Sequence, residues 1–353
     1  MGFKRFDPED FVVSADTVTS TVWSGFQPQL NNFFSSSVQK EGTSGPYYLN
    51  VFQTASTAEG AEIQFSIAFG DKEGRGTVDF DSSVGGKSPS RSIYGQYRTL
   101  VLEDENAQFV YGLNFSSSYF YAMSVERARY KEKLFPGTFN LVLSSSNGNL
   151  SNLHLTDNSN EIVLPTFFGT QRAYQIISGS DGSAWKGNGY SVSGSYGLFL
   201  PDTSTILLNG DALDDNSPAG SEGLNDGCGI NLKTSLVSNT NGDNYTKLFN
   251  HISGSVGDSD GHVFKLNSQE TITSDFVFVR TRNSEFNYSE NPSFISGSTG
   301  EVVFNYFIDN PQTFPTTVGM YNDANELIAV AKLSKPITKD FTKEALIRVK
   351  LDF

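Results

Sequence analysis

Three histidines, one cysteine and scattered aspartates are the residues of this 353-residue chain whose types could do chemistry. His154, His251 and His262 lie in different segments. None stands at ligand spacing from another His, a Cys or a carboxylate, so they read as hydrogen-bonded or solvated side chains. Gly257-Asp258-Ser259-Asp260-Gly261 has the letters G-x-S-x-G. That nucleophile motif needs a strand before it and a helix after it, to lift the serine above a sheet edge. Here a Gly/Ser/Asp loop precedes it, the strand-like Val263–Leu266 follows it, and two aspartates would oppose an oxyanion. Val84-Gly85-Gly86-Lys87-Ser88 ends like a phosphate-binding loop, but the position reserved for its first glycine is Asp81. Asp214, Asp215, Asp226, Asp258 and Asp260 could offer oxygens to calcium. Counted from Asp258, however, position 5 is His262 and position 12 is Gln269, which fails the EF-hand spacing. No pair of carboxylates is singled out for glycoside hydrolysis, whose spacing is set in three dimensions. The expectation is a chain that is not an enzyme, with no cofactor and no metal.

Composition says what must position these residues. Aromatics are 13% of the chain, with 29 Phe, and Gly is abundant at 33. Such a mixture suits short strands and tight turns. The net charge is −14, divided as −4, −8 and −2 over residues 1–133, 134–264 and 265–353. No region is basic, so nucleic acid is not an expected partner, and an acidic surface disfavours anionic membranes. Cys228, between glycines, can form no internal disulfide and reads as a reduced thiol of a protein made in a reducing cytoplasm. The N-terminal MGFKRFDPEDFVV lacks the apolar core of a secretion signal, and no apolar run approaches a membrane span.

Residues 1–45 read as an extended arm, with Phe3, Phe6, Phe11, Trp23, Phe26, Phe33 and Phe34 scattered through polar sequence. Such an arm is too apolar to remain free, so it packs on its own body or enters a neighbour. In Ala61–Phe69, Ile63, Phe65, Ile67 and Phe69 alternate with smaller or polar residues, a half-buried strand, and Thr77–Phe80 reads as another. Ser88-Pro89 then offers a cap and a first helical turn, and Ile93, Tyr94, Tyr97, Leu100 and Val101 form one helical stripe. Phe109–Phe115, Tyr119–Tyr130 and Phe139–Leu143 read as strands. The charges Arg127, Arg129, Lys131 and Lys133 read as a solvated face or a contact with another subunit. Residues 148–265, rich in Gly, Ser, Asn and Asp, carry brief apolar runs at Leu153–Leu155, Ile162–Leu164, Tyr174–Ile177, Tyr196–Leu200 and Thr205–Leu208. Asn244–His251 reads as a short helix. Turn signals at this density predict an inserted β-rich domain at 148–265, with 46–147 and 266–353 sharing the main core. Asp275–Thr281 and Glu301–Ile308, apolar on both faces, read as central strands.

The end of the chain has the sharpest pattern. Thr316–Tyr321 and Glu326–Leu333 flank the turn residues Asn322-Asp323-Ala324-Asn325, a hairpin. Ile347, Val349, Leu351 and Phe353 then alternate with Arg348, Lys350 and Asp352, which places one face of a last strand in a core. This segment reads as the scaffold on which the rest docks. The fold class expected is mainly β: an antiparallel β-sandwich core with few short helices.

TTVGMYNDANELIAVAKLSKPI resembles a hairpin of baseplate and tail proteins from contractile-tailed phages. YYLNVFQTASTAEGAEIQFSIAFGDKEGRG is similar to an early region of the T-even-type baseplate wedge subunit, and SGSYGLFLPDTSTILLNG resembles virion proteins of cyanophage-like myoviruses. The resemblance implies a β-sandwich-rich structural subunit of the virion, assembled in the host cytoplasm. Its implied partners are other tail and baseplate proteins, in a six-fold assembly with paired or oligomeric copies. On that reading Phe6, Phe11, Trp23, Phe26 and the run Arg127, Arg129, Lys131, Lys133 are candidate contacts. The alternative is a receptor-binding or fibre-attachment module, in which Trp185, Tyr190 and Tyr196 would stack on host glycans.

Overall fold

The computed structural model describes residues 4–37, 39–41, 45–77, 87–112, 115–146, 152–185, 196–214, 230–237, 243–256, 263–289 and 291–352. The chain is mainly β, with a large antiparallel sheet and few short helices. It forms two compact units, a larger one of residues 18–270 and a smaller one of 1–17 with 271–353. The main strands are β1 (Phe11–Thr21), β2 (Gly45–Phe52), β3 (Ile63–Asp71), β4 (Tyr119–Val125), β5 (Asn140–Leu143), β6 (Leu153–Asp157), β7 (Gln171–Ser180), β8 (Gly197–Leu200), β9 (Thr205–Asn209), β10 (Asn267–Thr281), β11 (Thr317–Tyr321), β12 (Leu327–Lys332) and β13 (Ala345–Asp352). The helices of interest are α1 (Pro89–Leu102), α2 (Asn244–Ser253) and the one-turn α3 (Asn305–Asp309).

In the larger unit one sheet runs Gln29–Leu30, Phe264–Lys265, β5, β6, β7, β8, β9, β4, β3, β2 and Phe34–Ser35. Its middle is covered on both sides, and period two explains how. Tyr119, Tyr121, Met123 and Val125 of β4 enter one core with Phe65, Phe69, Ile206 and Leu208. Phe120 and Ala122 point the other way, to Leu198, Leu207 and the α1 residues Ile93, Tyr94 and Val101. Strands buried on both faces need no polar alternation, so β8 and β9 read as uninterrupted apolar runs. At Gly70 an added Cβ would come within 2.9 Å of the Phe120 ring and 3.1 Å of the Tyr94 backbone nitrogen, so glycine lets α1 lie on β3. Ser88 precedes α1 in the expected cap position, but its hydroxyl donates to the Gly74 carbonyl instead, at 2.7 Å. Leu100, assigned to the buried stripe, is 43% exposed.

In the smaller unit β13 pairs with residues 274–281 of β10, Val277 opposite Val349 and Val279 opposite Ile347. The face made by Val277, Val279, Ile347, Val349 and Leu351 packs against Val318, Met320, Ala329 and Ala331 of the hairpin β11–β12. This is a thin sandwich built largely from the C-terminal pattern. Phe353 lies outside the described residues.

Three expectations are corrected. Residues 148–265 are not an insertion beside the main core: β9 pairs with β4 and β5 pairs with β6, so their strands continue the same sheet. The polar turns separate strands, not domains. Residues 266–353 accordingly do not share that core; from Thr271 they belong to the smaller unit, and the C-terminal segment is its framework rather than that of the whole chain. Glu301–Ile308 is no central strand, because a single bridge at Val302 leads into α3. Its Asn305 and Asp309, with Asn310-Pro311 beyond, favour a turn of helix over a ladder. Among the shorter runs, Phe109–Phe115 splits into the hairpin Val110–Tyr111 and Phe115–Ser116, and Ile162–Leu164 is a loop. Tyr119–Tyr130 is a strand only to Val125.

Candidate interaction surface

The smaller unit leaves its apolar residues in the open. Phe286, Tyr288, Val303, Phe304, Tyr306, Ile308 and Phe314 are all exposed, Ile308 by 68% and Tyr306 by 64%. The rings are organised: Phe294 meets Phe307 edge-on at 4.6 Å, and Tyr288, Phe304 and Tyr306 extend the cluster at 5.4–6.4 Å. Only Phe307 of this group is buried. On the hairpin, Ala329 and Ala331 face the thin core while Ile328 and Val330 point outward at 68% and 60% exposure.

The loops behind this surface are held by polar contacts. Lys339, 1% exposed, donates to the carbonyls of Asn283 and Asp340 and to Asn287 Oδ1 at 2.8, 3.0 and 2.6 Å. An ammonium meeting three oxygens tolerates burial. The Thr342 hydroxyl and Lys343 hold the Asp340 carboxyl down, at about 2. Exposed apolar side chains grouped in this way have the chemistry of a protein-contact surface.

The residues singled out for chemistry do not converge. His154 is buried on β6 with its ring 4.8 Å from Trp185, and His251 on α2 meets the Ser144 carbonyl through Nδ1 at 2.7 Å. The crevice lined by Asn140, Val142, His154, Gly179 and Ser180 leaves no space for a water molecule. Asp214 accepts the Tyr119 hydroxyl at 2.9 Å and the Thr234 N–H at 3.0 Å, and burial pushes the Tyr119 phenol far above its ordinary range. No group of three or more His, Cys, Asp or Glu among the described residues could hold a metal ion. The G-x-S-x-G segment, Gly85 and Gly86, Asp215, Asp226, Cys228, His262 and Tyr190 lie outside the described residues.

The expected contacts separate. Trp23 is corrected from a docking residue to a core residue: it is 2% exposed, 4.7 Å from the Phe264 ring and 6.3 Å from that of Phe65. Tyr196, at 1% exposure, is likewise core and offers no sugar platform, while Trp185 is half-buried. Phe26 is 92% exposed and Phe11 50%. The Phe6 ring stands edge-on to Phe11 at 5.4 Å and packs on the thin core. Arg127 lies over the Tyr130 ring at 4.7 Å, Arg129 pairs with Glu62 at 2.7 Å and Lys133 with Glu132 at 3.3 Å, whereas Lys131 is exposed. The charged run therefore satisfies much of its own charge within the chain. The aromatic cluster of 286–308 was not anticipated, because an apolar segment reads as core unless something shows it to be uncovered. Comparison with protein-family models, with curated proteins and with solved structures finds no match.

Proposed function

We propose that this chain is a structural subunit of a contractile phage tail, in a baseplate wedge, and that it acts through subunit–subunit interfaces. The observation that carries the reading is the exposed apolar surface of the smaller unit, from Phe286 to Phe314 and along β12. A protein that works alone gains nothing from leaving such side chains in water, at a cost of about 25 cal/mol for each Å² of apolar area. The likeness of residues 316–337 to tail-protein hairpins adds to it, since that hairpin is part of the same unit. The mechanism would be mechanical: large interfaces hold the assembly in one state and exchange partners when the tail contracts. The test is partnership. Purified particles of the encoding phage should contain the chain, and its capture from dissociated particles should retrieve other tail proteins. A chain missing from particles overturns the reading.

A further inference from the structure

The two outer strands of the small sheet are guarded very differently. β10 has β13 on one side and β1 on the other, and no described strand continues beyond β1. An outer strand presents a row of unpaired N–H and C=O groups, and proteins that must stay apart blunt it with Lys, Arg, Pro or a bulge. β13 has such protection in Arg348 and Lys350. β1 carries a single charge, Asp16: its sequence FVVSADTVTST contains no Lys, Arg, Pro or Gly, and nine of its eleven residues are exposed. Phe11, Val12 and Val13 are exposed in succession, so apolar side chains stand on both faces of the strand beside the open edge. The nearby exposed charges are Asp7, Glu9 and Asp16 against Arg5 and Arg280, whose 64% exposed guanidinium is already paired with the buried Asp10 at 3.4 Å.

We propose that Phe11–Thr17 is a strand-addition site, whose open edge takes an extended segment of a neighbouring protein with alternating apolar and basic side chains. Main-chain pairing supplies affinity, and the side chains flanking the edge supply selection. Apolar residues of the incoming strand lie beside Phe11 and Val13. Basic ones meet Asp16 and the acidic residues before β1. A second copy of this chain is the poorer occupant, because two such edges bring their acidic groups together. The inference rests on the tail reading only in holding that the chain works by contacting other chains.

The test uses the full chain and two eight-residue peptides, one alternating Val with Lys and the other Val with Glu. The basic peptide should bind at least about ten-fold tighter than the acidic one. It should slow amide exchange over 11–17 while leaving 345–352 unchanged. The double variant Val13→Lys, Ala15→Lys should lose that binding about ten-fold with its thermal midpoint kept. Equal binding of both peptides, protection that falls elsewhere, or self-association that protects 11–17 without peptide would overturn the assignment. Peptide binding by a chain absent from virions would uphold strand addition and remove only the tail reading.

Discussion

The two units of this protein treat apolar side chains in opposite ways. In residues 18–270 both faces of the sheet are covered, and nearly all of the buried apolar residues belong there. Among the described residues, the smaller unit buries Val277, Phe307, Met320, Ile347 and Val349 and leaves sixteen large apolar residues exposed, against ten in the longer unit. The contrast follows from layers. A broad sheet with helices on it can seal both faces, whereas one hairpin can cover a single face of a small sheet. An outside left unsealed in this way keeps apolar surface available for a contact.

Four changes would break or sharpen this contrast. The largest effect belongs to the sealed core: Phe264→Ala, which removes the ring packed by Trp23, Phe65 and Phe139, should cost about 3–5 kcal/mol in denaturant unfolding. Next is Asp71, fully buried, whose carboxylate accepts the Glu73 and Arg75 N–H groups and the Arg75 guanidinium. Asp71→Ala strands those donors and should cost about 2 kcal/mol.

Acid gives a smaller loss. Burial opposes ionisation of Asp202, but the Arg172 side chain and N–H outweigh it and hold the carboxyl below 3.8. A depressed carboxyl stabilises the fold above its unfolded value and loses that contribution as the pH falls through the folded one. Wild type should therefore lose up to about 1 kcal/mol below pH 4, and Asp202→Asn should flatten that part of the profile. The smallest change in stability belongs to the open surface. Tyr306→Ser and Ile308→Asp should alter unfolding by no more than about 0.5 kcal/mol, while reducing recovery of the chain with its neighbours. A loss as large as that of Phe264→Ala would show that these residues are core after all.

Period-two alternation made β3 and β13 legible in sequence, and turn chemistry made the β11–β12 hairpin legible, because each is a local pattern with a local cause. Residues 148–265 were misjudged for a related reason. Frequent Gly and Asn turns report how often the chain reverses, not which strand receives the next one, and β9 joins β4 across a long stretch of sequence. Trp23 and Phe11 look alike in a polar arm, yet Phe264 and Phe65 enclose the first while the second stays half in water. The surface at 286–308 was illegible because exposure depends on which layer is missing. No residue type announces that.

Hydroxyl-radical footprinting of Tyr306, Ile308, Ile328 and Val330 tests the central claim most directly, comparing the isolated chain with the chain in purified particles. The account predicts strong labelling of these side chains in isolation and protection upon assembly, with Trp23 and Phe264 protected in both. Equal labelling of the four residues in the two states would contradict it.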